Sequence, residues 1–194
     1  EVTGIDIVRT QILIADGLPL SHPSIFINKQ EDIHLNGFAI QCRITTEDPS
    51  NNFQPDYGTI IAYRNAAGMG IRLDEGSSYP GVTISPFFDS MLVKVSAWGR
   101  TLRGAAERLD RALVEFRIRG VKTNIPFLQN VVQHPVFIHG EQNVGFIESH
   151  PELFEFSKKR DRATKTLRYI GNTILNGNSD VKFIDENKKF RVPK

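Results

Sequence analysis

One cysteine, two methionines and one tryptophan are all that the 194 residues supply of those types. With Cys42 alone, neither an intrachain disulfide nor a cysteine-based metal site can be built, and a reducing compartment is the natural expectation. No stretch approaches the ~20 apolar residues that cross a bilayer. The opening "EVTGIDIVRT" has neither the basic start nor the apolar run of a signal peptide, and Glu1-Val2-Thr3-Gly4 reads like the middle of a domain, so a fragment is expected. Charge of one sign is scarce as well: 24 Lys+Arg stand against 22 Asp+Glu, a net +2, which marks neither a nucleic-acid nor a membrane binder. The five histidines, at 22, 34, 134, 139 and 150, do not follow the His-x-x-x-His or His-Glu-x-x-His spacing of a helical metal site, so no metal is expected. Neither a Ser/His/Asp nor a Cys/His triad is evident. These exclusions leave a soluble, intracellular globular domain.

The remaining pattern is well organised. Ile5, Val8, Ile12 and Ala15 recur at helical spacing after Thr3, with Asp6 in the first turn and Gly17 as a left-handed stop. A proline-containing connector ends in the Asn36-Gly37 turn signal. From Phe38 to Val95 short runs, "FAIQCRITT", "GTIIAYR", "GIRLD", "GVTIS" and "MLVKVSAW", predict an antiparallel sheet or small barrel. Thr101 opens a second helix with Leu102, Ala106, Leu109, Leu113 and Phe116 as its apolar stripe and Gly120 as its end. A third helix follows, capped by Asn124 or Thr123, with Pro126 in its first turn. Residues 134–156 read as mixed loop, short strand and short helix. Beyond them Lys158, Lys159, Arg160, Arg162, Lys165 and Arg168 crowd one face of a helix that Asp161 could cap. The fold class is therefore α+β, an antiparallel sheet or small barrel with flanking helices, followed by a basic helix. The expected division is 1–155 and 156–194.

Four features invite chemistry, each with a plainer reading beside it. In "AIQCRITTEDP", Ile40, Cys42 and Ile44 alternate against Gln41, Arg43 and Thr45, so Arg43 lies on the outward face. It is either a solvated strand residue or an anion-capturing guanidinium. In "ISPFFDSMLVKV", Asp89 is either a strand-start residue or the carboxylate that orients Arg43. In "GMGIRLD", two glycines present Met69 and Arg72 at a tight turn, too weak a signal for a phosphate loop. The basic run "KKRDRATK" is either a solvated helix face or a site for an anionic partner.

The strings "EVTGIDIV", "AIQCRITTEDP", "FQPDYGTI", "GMGIRLD", "GVTISPFFDSMLVKV", "VEFRIRGVKTNIPFLQNV" and "RDRATKTLRYIGNTILNG" resemble the pyruvate carboxylase family of biotin-dependent carboxylases, from Glu1 to about Val181. The matching region is the C-terminal part of the ATP-grasp biotin carboxylase domain (1–155) and the start of the allosteric linker domain (156–194). The resemblance implies an enzyme that uses ATP and magnesium to activate bicarbonate, carboxylates biotin on a swinging carrier domain, and passes the carboxyl group to pyruvate to give oxaloacetate. It implies that Arg43 contacts bicarbonate and the biotin ureido oxygen, with Asp89 orienting it. Met69 and Arg72 would lie at a biotin carboxylase dimer face, within a tetrameric enzyme, and Arg160 and Arg162 would bind the phosphates of the activator acetyl-CoA. The family's ATP site, magnesium ligands and catalytic Glu would precede Glu1, and the biotinyl lysine and pyruvate site would follow Lys194. This polypeptide alone is therefore expected to be inactive. A bacterial cytoplasm is the favoured location, or a mitochondrial matrix in a eukaryote. The alternatives are a piece of an acetyl-CoA or propionyl-CoA carboxylase, or a non-catalytic anion-binding oligomerisation module.

Overall fold

The computed structural model describes residues 1–76, 78–156 and 162–177, the side chains of 162–164 excepted. The chain divides into two compact units, Glu1–Phe156 and Ser157–Lys194.

The first unit starts with α1 (Ile7–Ala15). Asp6, not Thr3, is its cap: the Asp6 carboxylate accepts the Arg9 N–H at 2.9 Å, satisfying one of the orphan donors of the first turn. Gly17 takes the left-handed conformation expected of it. No residue of α1 is buried, and Ile7, Val8, Ile12 and Ile14 are all exposed.

A chain of strands follows: β1 (Phe38–Thr45), β2 (Glu47–Asp48), β3 (Gln54–Pro55), β4 (Gly58–Thr59), β5 (Ala62–Arg64), β6 (Ile71–Glu75), β7 (Thr83–Ile84) and β8 (Met91–Gly99). The central sheet has the order β1-β8-β6, antiparallel throughout, with Cys42 opposite Val95 and Ile44 opposite Val93. The period-2 alternation turns Cys42, Ile44, Val93, Val95 and Ala97 to one face, all buried. Against that face packs α2 (Leu102–Glu115), which contributes Leu109, Ala112 and Leu113 to the same core and buries Ala105 and Ala106 beside them. Thr101 caps α2 as expected, accepting the Gly104 N–H at 3.0 Å.

Two expectations are corrected here. The remaining strands form three separate two-stranded ladders, β2-β3, β4-β7 and β5 with β9 (Arg117–Arg119), so among the described residues the sheets stay open and no barrel closes. And α2 stops at Glu115 rather than at Gly120. Phe116 is buried edge-on to Tyr63, and residues 117–119 pair with β5, so tertiary pairing overrides a helical pattern that was still running. Gly120 ends that short strand instead, at φ +102.

Three further helices complete the unit: α3 (Ile125–Gln133), α4 (Pro135–His139) and α5 (Phe146–Ser149), with a final 3-10 turn at Pro151–Phe154. The second unit contains α6 (Arg162–Asn176), on which the described Lys165 and Arg168 are exposed. Asp161, the expected cap, lies outside the described residues. Among those residues no helix is long and apolar enough to cross a membrane.

Candidate functional site

The face of the central sheet opposite α2 carries the candidate site. Gln41, Arg43 and Thr45 alternate outward from β1, and Arg43 sits directly opposite Lys94 of β8. Lys94 in turn faces Asp74 of β6, while Gln41 and Arg72 both pair in register with Ser96. The Gln41 amide donates to the Ser96 hydroxyl at 3.0 Å. Asp74 is engaged by Arg72 at 2.9 Å, and Arg72 also pairs with Glu1. Among the described residues neither Arg43 nor Lys94 has an ion-pair partner. Like charges directly opposite across a ladder repel, a cost that Asp74 on the other side of Lys94 offsets only in part because Arg72 engages it. A cleft of about 720 Å³ borders the same face, lined by Gln41, Arg72 and the 1–8 segment.

The backbone beneath Arg43 is clamped from both sides. Asn124 occupies the cap position of α3, but its side chain makes no cap bond. It accepts the Thr45 N–H at 3.0 Å and donates to the Arg43 carbonyl at 3.0 Å, while its own N–H reaches Thr45 O at 3.2 Å. Asn124 is buried, so these bonds are made out of reach of competing water. On the other side the Glu47 carboxylate accepts the Thr45 hydroxyl at 2.9 Å and the Ser90 hydroxyl at 2.8 Å, and the Thr46 N–H donates to Ser90 O at 2.9 Å. The "RITTED", "DSM" and "KTN" strings are thus brought into one network.

That network holds Asp89 at the entry to β8. Its exposed carboxylate accepts the Met91 N–H at 3.1 Å and forms no ion pair with Arg43. Phe87 and Phe88, beside it, are exposed. Met69, 88% exposed, stands between Gly68 and Gly70 on the turn into β6, a strand that pairs with β8 and not with β5. Arg160 lies outside the described residues, and Arg162 is described only as the backbone start of α6.

A second clamp acts through Asp48, which accepts from the Ser50 N–H at 3.0 Å and from Lys122 Nζ. The Lys122 N–H donates to Asp56 at 2.6 Å. The Lys122 ammonium, above all, and the Ser50 hydroxyl hold the Asp48 carboxyl below its ordinary range. A depressed folded-state pKa contributes stability above the unfolded value of about 4, and that stability is lost as pH falls through the folded value. Asp48→Asn is therefore expected to unfold at lower urea than the parent at pH 7, with the gap closing in acid. An equal gap at both pH values would remove Asp48 ionisation from the account.

Cys42 is inert by placement: burial pushes its thiol up to about 12, so it stays protonated and serves as a small core residue. One grouping was invisible to spacing rules. His134, His150 and Glu152 come together from separate elements, with ligand-type atoms all within 4.8 Å of one another.

An open antiparallel sheet backed by one long helix is the fold of a known domain. Residues 41–149 match the biotin carboxylase C-terminal domain, and the chain belongs to that family. Within it, the chain is similar in particular to pyruvate carboxylases. That of Bacillus subtilis is 53% identical over 176 residues, 91% of this chain and 15% of the relative. The crystal structure of Rhizobium etli pyruvate carboxylase T882A with the allosteric activator acetyl coenzyme-A matches with a TM-score of 0.80 at 50% identity, covering 100% of this chain and 19% of that one. The biotin carboxylase domain dimer of Hydrogenobacter thermophilus 2-oxoglutarate carboxylase, in complex with MgADP, ADP and bicarbonate, matches with a TM-score of 0.73 at 39% identity, covering 81% and 33%. The chain spans about 15% of the length of the curated relatives it matches.

Proposed function

We propose that this chain is part of a biotin-dependent carboxylase that converts pyruvate to oxaloacetate with ATP, magnesium and bicarbonate, and that its share of the work is the anion-binding wall built around Arg43. The observation that carries this is the row Arg43–Lys94: an exposed and a half-buried cation in direct register, without ion-pair partners among the described residues. A relative in complex with bicarbonate supports bicarbonate as the anion, and identities of 53% to a pyruvate carboxylase against 39% to a 2-oxoglutarate carboxylase favour pyruvate.

Biotin, when bound, supplies a ring nitrogen to accept the carboxyl group and a ureido oxygen on which negative charge grows. Arg43 fits that need, since a planar guanidinium can donate two parallel hydrogen bonds to a carboxylate-like anion or a polarised carbonyl oxygen. Asn124 fixes the peptide from which the Arg43 side chain springs, and a guanidinium donating to growing negative charge stabilises the transition state more than the ground state. Asp89 is the carboxylate proposed to orient Arg43, which requires it to turn from the Met91 N–H that it accepts here. The exposed Met69 and Arg72 are proposed for a biotin carboxylase dimer face. Arg160 and Arg162 are proposed for the activator's phosphates, where the start of a helix adds backbone donors to side-chain cations. The rest of the carboxylase chain, with its biotin carrier domain, is the proposed partner.

The test is bicarbonate-dependent ATP cleavage with free biotin, followed by oxaloacetate formation. The full-length protein is expected to perform both, and the 194-residue chain neither. Turnover by the short chain would overturn the division of labour, and a preference for 2-oxoglutarate over pyruvate would overturn the substrate.

A further inference from the structure

We propose that His134, His150 and Glu152 form a binding site for a divalent transition metal of the zinc type, separate from the Arg43 site and from the carboxylation reaction. His134 joins the end of α3 to the start of α4, His150 ends α5, and Glu152 lies in the following 3-10 turn. The three offer ligand atoms within 4.8 Å of one another, and His134 Nε2 is hydrogen-bonded to Glu152 Oε1 at 3.2 Å, a bond whose proton a metal would displace. Two donors bound to one tetrahedral zinc at about 2.0–2.1 Å stand roughly 3.3 Å apart, so that pair is already at ligand spacing. Side-chain rotation closes the remaining separations.

The protonation of His150 favours the same reading. His150 Nδ1 is 2.7 Å from the Phe146 carbonyl, which can only accept. The proton therefore sits on Nδ1, and Nε2 carries its lone pair outward, the orientation that a carbonyl behind a metal-ligating histidine imposes. In His134, Nδ1 is closed to solvent and without a hydrogen-bond partner among the described residues. Ligation through Nε2 would leave the ring's one proton on Nδ1, a cost the metal bond has to exceed. Two neutral imidazoles and one carboxylate are the donor set of open zinc sites, which keep a fourth position for water. Phe146 packs on His134 at 5.2 Å and on His150 at 4.7 Å, and the two imidazoles cross at 4.5 Å, so the rings are neighbours and only a small rotation separates them from ligand spacing. Glu152 is exposed, which leaves a path for the ion.

A metal here would tie the α3–α4 junction to the turn after α5 and close the intervening loop, residues 135–149. It would stabilise the folded state by binding there and not to the unfolded chain.

The test is a calorimetric Zn2+ titration of the chelator-treated full-length protein, paired with its His150→Ala and Glu152→Gln variants and with His139→Ala as a control. The wild type and the control are expected to take up one Zn2+ per chain more than His150→Ala, and Glu152→Gln to bind it at least about 10- to 100-fold more weakly. Co2+ should give a tetrahedral visible spectrum in the wild type that His150→Ala loses. Circular dichroism of the metal-free variants separates loss of ligand from loss of fold. Because Glu152 is exposed, Glu152→Gln tests the site even if His150→Ala unfolds. Zn2+ uptake and affinity unchanged in Glu152→Gln, with a Co2+ spectrum like the wild type, would overturn the proposal.

Discussion

Arg43→Lys in the full-length protein is expected to lower the rate of biotin carboxylation by about 100- to 1,000-fold, the usual effect of removing one preorganised donor to a developing oxyanion. Lysine keeps the charge, so a small effect would mean that charge alone suffices at this position. A large one would mean that the planar fork matters, because an ammonium on a flexible stem cannot make two parallel bonds to one acceptor group. The variant should fold normally. Arg43 is exposed, forms no ion pair among the described residues, and is tied to its neighbours through backbone groups that a lysine at the same position keeps. The decisive measurement is kcat for free-biotin carboxylation beside an unfolding curve. Activity within about threefold of the parent, against the 100-fold or greater loss expected, would show that the planar fork is not needed and that a cation at this position suffices.

Gly120→Ala is expected to cost about 3–5 kcal/mol of stability, in the range reserved for backbone strain combined with a clash. Gly120 has φ +102, and a Cβ there would stand 2.1 Å from the Thr59 carbonyl oxygen and 2.9 Å from the Ile61 nitrogen. Both obstacles are backbone, so neither can swing aside. The Ile61 N–H also bonds Arg119 O at 2.8 Å, which ties the crowded segment to the strand just before Gly120. Gly17→Ala is the control: φ is +89 but nothing lies within 4 Å, so only the left-handed penalty of roughly 1 kcal/mol should appear. Urea unfolding of both would decide the matter, and equal losses would show that the close approach is relieved.

What could be read from the chain and what could not divide along the range of the interactions. Helix starts such as Thr101 and the left-handed stop at Gly17 are local events and were legible. The inward set Ile40, Cys42, Ile44 followed from period 2, and it placed Arg43 on the free face before any register was known. The end of α2 was not legible, because the apolar stripe runs on through Phe116 and only the pairing of residues 117–119 with β5 breaks it. An open sheet and a small barrel stay alternatives in the sequence because short strands look alike whether or not their ladders close. At the site, the partners of Arg43 depend on register and on residues far along the chain. Lys94 is its cross-strand neighbour, and Asn124 read as a helix cap although its side chain is committed to β1. The His134–His150–Glu152 group escaped the spacing rules because its members come from three different turns.

The commitment of Asn124 has a mechanical consequence. A side chain that capped α3 would leave the Asn124 N–H bond to Thr45 O as the hydrogen-bonded tie at this point between helix and strand. Because this one grips the strand on both sides of Ile44, α3 and the root of Arg43 behave as a single lever with its fulcrum at residue 124. A tilt of the helix would pull on the Arg43 and Thr45 peptides through these bonds, with no loop in between.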